Sequence, residues 1–441
     1  MQAAAAPGPM RATVRALRHR SFRLFTIGQS LSLIGTWMQQ VAVGWLVYRL
    51  TGSAFLLGLV AFVSQGPGFI LAPFAGEFAD RYDKQRIVLA TQTVMMLQAL
   101  LLAALVLTGH VTIGWILVLM ALLGAATGFD IPARQSFLID MVDDRADLPN
   151  AIALNSSIFN GARLVGPAIA GFAIAAVGEG WVILLNGVSY IAVIAALLAL
   201  RPPPRPRERT RGAVLQRMRE GFVYAYRLEP IRAVLTLVAT ISLLGVPFYV
   251  LLPVMATDVF GGGPRTLGLL MSASGLGALI GTLFLASRRT VVGLGRVIVA
   301  GAILFGGALM LFAFTRSLAL ALPLLMLAGF GMMAQMAAAN TVLQTIVEDD
   351  KRGRVMSFYT MAFTGTAPIG SLILGFLAGI AGAPAATAIG GAVCVFAGAF
   401  FHRRLPQLRR TIQPIYTRLG ILPEVARGIQ AATHQTTPET D

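Results

Sequence analysis

The chain has 441 residues, 56% of them hydrophobic and 12% charged, with a mean hydropathy of +0.75. A soluble domain carries about 25% charged residues, so a water-soluble globular fold is excluded. The formal net charge of +16 would point to nucleic acid in a soluble protein. Here too little chain remains outside the apolar stretches to form a nucleic-acid-binding module, and no such partner is expected.

A bilayer core about 30 Å thick takes about 20 apolar residues per helix. After a basic tail at 1–22, stretches of that length lie near residues 24–47, 55–77, 87–108, 113–133, 150–177 and 181–200. A linker at 201–230 follows, then stretches near 231–255, 267–287, 297–314, 319–346, 355–379 and 385–401, and a tail at 403–441. The predicted fold is all-α, with twelve transmembrane helices in two pseudo-symmetric six-helix bundles, 23–200 and 231–402. The linker opens on the proline-rich run Arg201–Arg209, an extended style of chain. It continues as Gly212–Leu228, where Val214, Leu215, Met218, Phe222 and Tyr226 recur at helical spacing, as in an amphipathic helix lying on the membrane face. The last residues, Thr436–Asp441, are expected to be disordered.

All but four of the 35 Lys and Arg then fall in the tails, the linker and the loops on their side. Arg49, Arg265 and Arg316 lie on the opposite side and Arg163 within a span. By the positive-inside rule both termini are cytoplasmic, with anionic lipid as an added partner. The basic stretch Arg11–Arg23 runs straight into a full-length span, which reads as a retained helix and not a cleaved signal. The single cysteine, Cys394, rules out an internal disulfide.

The halves carry a faint repeat. At an offset of 210, Gly58-Leu59 matches Gly268-Leu269 and Arg86 matches Arg296; at 205, Val142-Asp143-Asp144 matches Val347-Glu348-Asp349. That order fits duplicated halves related by an axis along the membrane normal. Gly124/Gly128, Gly277/Gly281 and Gly375/Gly379 are GxxxG pairs, which let helices approach closely.

Enzyme chemistry finds no foothold. A P-loop needs Lys followed by Ser or Thr, whereas Lys84 precedes Gln85 and Lys351 precedes Arg352. None of His19, His110, His402 and His434 is followed by Glu, which removes the zincin motif, and there is no Gly-x-Ser-x-Gly elbow. No catalytic residue, cofactor or metal is expected, and any work must draw on an ion gradient or the substrate's own gradient.

Between the second and third spans stands Gly76-Glu77-Phe78-Ala79-Asp80-Arg81-Tyr82-Asp83-Lys84-Gln85-Arg86. It resembles the signature loop of the major facilitator superfamily: Gly, three residues, Asp-Arg, then a basic cluster, with Asp83 in place of the usual second glycine. The fifth span carries Ala162-Arg163-Leu164-Val165-Gly166-Pro167-Ala168-Ile169-Ala170-Gly171. This is similar to the fifth-helix motif of exporters in that superfamily at Gly166, Pro167 and Gly171, with Ala162 and Ala170 where glycines are usual. Asp130, Pro132, Arg134 and Gln135, then Leu148, Asn150, Ala151, Leu154 and Asn155, then Asn160, resemble the branch of enterobactin exporters and macrolide-efflux-like proteins. The resemblance runs from about residue 20 to 402. It implies a bacterial inner-membrane transporter, monomeric, with a gate made by Gly76, Asp80, Arg81, Lys84 and Arg86. The Asp80 carboxylate would face a helix of the other half, the eleventh, starting near Arg354–Ser357, where a helix N-terminus favours negative charge.

Polar side chains within spans are the candidate binding residues. Arg163 lies about 20 Å past Asn150 at 1.5 Å per residue, and a mid-helix Arg is seldom idle. Ser156 and Asn160 share its face. Gln29, Ser32, Thr36 and Gln39 form a stripe on the first span, Asn340 and Gln344 one on the tenth, and Gln65 adds to them from the second. Any of these amides is equally open to simple helix–helix bonding. Asp130, on a face with Thr127 and Arg134, is the first proton-coupling candidate and Glu77 the second. An ion pair of Asp130 with Arg134 is the other reading. The combined expectation is a proton-coupled secondary exporter of a small amphipathic molecule, siderophore-like or drug-like, with no enzyme activity. Metabolite uptake, lysophospholipid flipping and a non-transporting sensor stand as alternatives.

Overall fold

The computed structural model of the chain describes residues 15–200, 223–288 and 290–421, with the side chains of residues 72, 73, 76, 77, 79, 80 and 350 outside the description. The proline run, most of the expected amphipathic segment and Thr436–Asp441 lie outside it; residues 223–227 are helical. A 3-10 turn, Arg15–Arg18, leads into α1 (Arg20–Thr51). Then come α2 (Ala54–Arg81), α3 (Lys84–Leu107), α4 (Ile113–Asp140), α5 (Leu148–Val177) and α6 (Glu179–Ala199). In the second half α7 comprises Glu229–Leu244, Phe248–Val254 and a π turn Met255–Val259. It is followed by α8 (Pro264–Ala286), α9 (Leu294–Phe314) and α10 (Leu318–Ile346). Helix α11 comprises Asp349–Thr360, a π turn Met361–Gly365 and Thr366–Ala381, and α12 is Ala383–Arg418. Among the described residues eleven helices are long and apolar enough to cross a membrane. The twelfth, α1, has 32 residues, and the polar run from Gln29 to Gln40 dilutes its apolar content.

Local chemistry explains the breaks. Ser53, Asp83 and Thr112 cap α2, α3 and α4 by accepting from the backbone N–H three residues on, which satisfies an otherwise orphaned donor. Gly178 (φ 86°) and Gly382 (φ 84°) turn the chain at equivalent points of the two halves, where a side chain would be strained. The π turns of α7 and α11 lie near Pro253 and Pro368, since proline lacks an N–H and crowds the preceding turn.

The halves repeat one packing plan. Helix α1 packs on α5 and α6, α3 on α4 and α6, and α2 on α4. The same pairs recur as α7 on α11 and α12, α9 on α10 and α12, and α8 on α10. Between the halves the main contacts are α2 with α11 and α5 with α8. Both seams are built on glycine. A Cβ on Gly171 would stand 2.8 Å from the Pro264 carbonyl oxygen, and one on Gly268 2.8 Å from the Pro167 carbonyl oxygen. A Cβ on Gly375 would stand 2.8 Å from the Ala54 carbonyl oxygen and 3.0 Å from Gly58 Cα. Gly58 and Gly268 are the pair matched by the sequence repeat. Of the GxxxG pairs, Gly124 and Gly128 pack on α2, and Gly277 and Gly281 on α10, while Gly379 meets nothing.

Both seams sit toward the face opposite the termini, the far face. Tyr48 and Asp258 also bridge the halves there, with the Tyr48 hydroxyl donating to Asp258 Oδ2 at 2.6 Å. Toward the termini face, Gln65, Ser156 and Gln344 are exposed and Asn160 and Asn340 half-buried. The halves are thus joined at the far face and part into a cleft on the side of the termini. Adding a methyl group where backbones touch overpacks the seam at a cost of about 1–3 kcal/mol. Gly268→Ala is therefore expected to lower the melting temperature of the detergent-purified protein, while Gly379→Ala, facing open space, leaves it unchanged.

Candidate functional site

Five side chains from four helices meet where the halves face each other. Arg163 of α5 donates through Nη2 to the Tyr249 hydroxyl of α7 at 3.3 Å. Its guanidinium carbon lies 5.7 Å from the Tyr249 ring centre and 5.8 Å from that of Trp37 on α1. Trp37 also stacks edge-on with Phe159, centroids 5.9 Å apart. The Tyr249 hydroxyl is 2.6 Å from Ser274 Oγ of α8. The guanidinium is therefore flanked by two aromatic faces, a favourable setting for a cation. Trp37, Phe159, Tyr249 and Ser274 were not singled out in the sequence, because an aromatic residue in an apolar helix reads as packing. The only signal was that Trp37 falls one helical turn after Leu33 and one before Gln40–Val41 on a helix otherwise rich in amides.

Around this centre the predicted cavity residues divide. Ser156, Asn160 and Arg163 share the α5 face that continues to Pro167 and Gly171 at the seam, and the Asn160 amide donates to the Ser156 carbonyl at 2.8 Å. Gln65 lies on the α2 face between Gly58 and Phe69, both of which meet α11. Asn340 and Gln344 bond to each other at 2.5 Å near the termini end of α10. These six border the cleft. Of the α1 stripe only Thr36 is exposed. Gln29, Ser32 and Gln39 are buried. Gln39 donates to Gln98 of α3 at 3.3 Å and accepts from Asn186 of α6 at 2.6 Å. The Thr36 hydroxyl bonds back to Ser32 and lies 3.4 Å from the Tyr190 hydroxyl of α6. Helix α1 turns Trp37, Gly44 and Tyr48 to the other half and its amides to the interior of its own, so in this conformation the stripe ties α1 to α3 and α6.

Asp130 is likewise inside the first half, 2% exposed. Its Oδ1 accepts from Thr91 Oγ1 and Gln92 Nε2, each at 2.9 Å, and its Oδ2 lies 3.0 Å from Arg134 Nε. That N–H has no aligned acceptor, so the pair is held by charge more than by a directed bond. One unit away by the 205 repeat, α10 carries Gln335, fully buried with both amide atoms unpartnered. The acid is thus a property of the first half alone.

In the signature segment, α2 continues through Arg81 and only Tyr82 and Asp83 separate it from α3. The motif from Gly76 to Asp80 is helical, where a loop was expected, because Asp83 supplies the cap that restarts the chain as α3. The side chains of Gly76, Glu77 and Asp80 are outside the description. Arg81 and Arg86 are exposed, and Lys84 pairs with Asp140 at 2.9 Å. Helix α11 starts at Asp349, five residues before the expected start, so Arg354–Ser357 lie in its second turn.

The transmembrane secretion effector family model matches residues 11–416. The chain belongs to this family of the major facilitator superfamily. It is a multi-pass membrane transporter, not an enzyme. The transporter is 27% identical over 392 residues to the staphyloferrin A transporter of Staphylococcus aureus, covering 88% of this chain and 97% of that one. To the multidrug efflux pump Tap of Mycolicibacterium fortuitum it is 27% identical, covering 78% and 85%. To the enterobactin exporter EntS of Citrobacter koseri it is 24% identical, covering 90% and 94%. A solved bacterial homologue of the human lysosomal transporter Spinster, inward-facing and occupied, shares the fold with a TM-score of 0.70 at 14% identity, covering 90% of this chain and 98% of that one.

For this transporter, removing one partner of the Asp130–Arg134 pair leaves a largely buried charge. Such losses cost about 3–5 kcal/mol, and the partial exposure of Arg134 puts the expected value near the lower end. Asp130→Ala should therefore lower thermal stability by about 3 kcal/mol, and Arg134→Leu added to it should recover part of the loss, both measured by unfolding in detergent.

Proposed function

We propose that this chain is a proton-coupled exporter of small amphipathic molecules, siderophore-like or drug-like, working by alternating access in a bacterial inner membrane. Its termini are cytoplasmic in this reading, by the positive-inside rule. The observation that carries it is the cleft, closed at the far face by the glycine seams and open on the side where all but four of the 35 Lys and Arg fall. A substrate entering there comes from the cytoplasm, which is what an exporter needs. The printed functions of the relatives support the cargo class, siderophore or drug, and those of the efflux pump and the enterobactin exporter support the direction.

The roles follow. Gln65, Ser156, Asn160, Arg163, Asn340 and Gln344 bind substrate in the cleft. Thr36, already exposed, adds to them, whereas Gln29, Ser32 and Gln39 reach the cleft only if α1 rotates in the opposite state. Gly76, Asp80, Arg81, Lys84 and Arg86 gate the cytoplasmic side, and Gly166, Pro167 and Gly171 shape the α5 seam. Asp130 is the leading proton carrier, as a carboxylate buried within a span; Glu77 is the second. The working unit is a monomer in contact with membrane lipid.

The test is accumulation of a siderophore and drug panel by everted vesicles, with and without a proton gradient. Gradient-dependent accumulation of one class, lost in Asp80→Asn, is expected. Accumulation that ignores the gradient removes the proton-coupling claim. Uptake into right-side-out vesicles, or lysophospholipid movement instead, overturns export.

A further inference from the structure

Three described bases near the ends of the spans are held by acids. Arg49 binds Glu179, Lys84 binds Asp140 and Arg134 binds Asp130. Arg163, the one placed deep between the halves, makes no ion pair among the described residues and a single hydrogen bond, to a neutral hydroxyl. A guanidinium at that depth is costly to leave uncompensated, and four of its five N–H groups are uncommitted by side-chain bonds. Two aromatic rings lie 5.7 and 5.8 Å from its central carbon. A planar fork of donors fits the paired oxygens of an anion and finds no counter-charge in a neutral group, and apolar walls favour a singly charged carboxylate over a phosphate, which carries about −1.5 to −2 and costs more to desolvate. Flat apolar surface on either side, from Trp37, Phe159 and Tyr249, suits an aromatic or apolar body attached to that anion.

The two walls also belong to different halves. Arg163, Trp37 and Phe159 come from the first, Tyr249 and Ser274 from the second, and the Arg163–Tyr249 bond crosses between them. A carboxylate taking Arg163 would replace that cross-half bond, so binding alters one of the contacts that join the halves.

We infer that the cargo is a carboxylate carried on an apolar or aromatic body, with Arg163 as its anchoring residue and the Tyr249–Ser274 hydroxyl pair as the contact from the opposite half. This rests on the exporter reading and names the substrate class of its site.

The probes are 2-naphthoate, its neutral carboxamide and 2-naphthyl phosphate, titrated into the detergent-purified full chain with thermal stability as the readout. 2-Naphthoate is expected to stabilise the protein saturably, and the other two to bind about 10–100-fold more weakly, the range of a charge-assisted hydrogen bond. Arg163→Gln should abolish the preference for carboxylate over carboxamide, Arg163→Lys should keep part of it, and Tyr249→Phe, which leaves the ring in place, should weaken naphthoate several-fold. Equal binding of carboxylate and carboxamide, a preference for the phosphate, retention of the preference in Arg163→Gln, or no saturable binding of any probe overturns the inference. Should Arg163→Gln fail to fold, the Arg163→Lys and Tyr249→Phe titrations decide. The assay does not depend on direction or on protons: a failed vesicle experiment sinks export while a carboxylate-selective titration still stands.

Discussion

Backbone-to-backbone contact at two glycine seams is what the rest of this molecule depends on. Gly58 meets Gly375 and Gly171 meets Gly268, with each missing side chain set against a carbonyl or a Cα of the opposite helix. In a membrane, apolar side chains gain little by leaving lipid for a neighbouring helix, so close backbone approach and polar bonds do the joining. Smooth seams of this kind bind the halves without interdigitating side chains. They permit one half to pivot on the other, and they concentrate the join on one face so that the opposite face can part.

The polar groups sort themselves against that frame. Those that hold a half together are buried and bonded to one another: Asp130 with Arg134, Thr91 and Gln92, and Gln39 with Gln98 and Asn186. Between the halves a base is left with spare donors. Arg163 is the extreme case, flanked by aromatic rings where Arg49, Lys84 and Arg134 have acids. The repeat makes the division sharper. Asp130 in α4 has its counterpart in Gln335 of α10, so the buried charge occurs in one half only, and a proton taken up there would load one half of a nearly symmetric machine.

Much of this was legible in the sequence for a physical reason. Span length and apolarity are summed over twenty residues, and the bilayer leaves no alternative to helix. The Gly58/Gly268 repeat pointed to duplicated halves, and only the structure set both glycines at the seams between them. The α1 stripe was misleading because periodicity says which residues share a face and nothing about which neighbour that face meets. Gln29, Ser32 and Gln39 share a face, and it turns to α3 and α6. Trp37 and Tyr249 were invisible for the converse reason: aromatic residues in apolar helices are ordinary, and only their convergence on Arg163 makes them distinctive. Asp83 stood out as a departure from the signature pattern, and its role as the cap of α3 emerged only with the backbone.

The central claim is that the far-face seams and the termini-side cleft open in alternation. The most direct measurement is pulsed electron resonance on two spin-labelled pairs in lipid nanodiscs. One pair, Thr108→Cys with Arg316→Cys, reports the far face, and the other, Arg145→Cys with Thr290→Cys, the termini face; the buried Cys394 is left in place. On adding a transported compound, the far-face distance should lengthen in the same population in which the termini-face distance shortens. Distances that stay fixed in both pairs, or that lengthen together, would contradict the account.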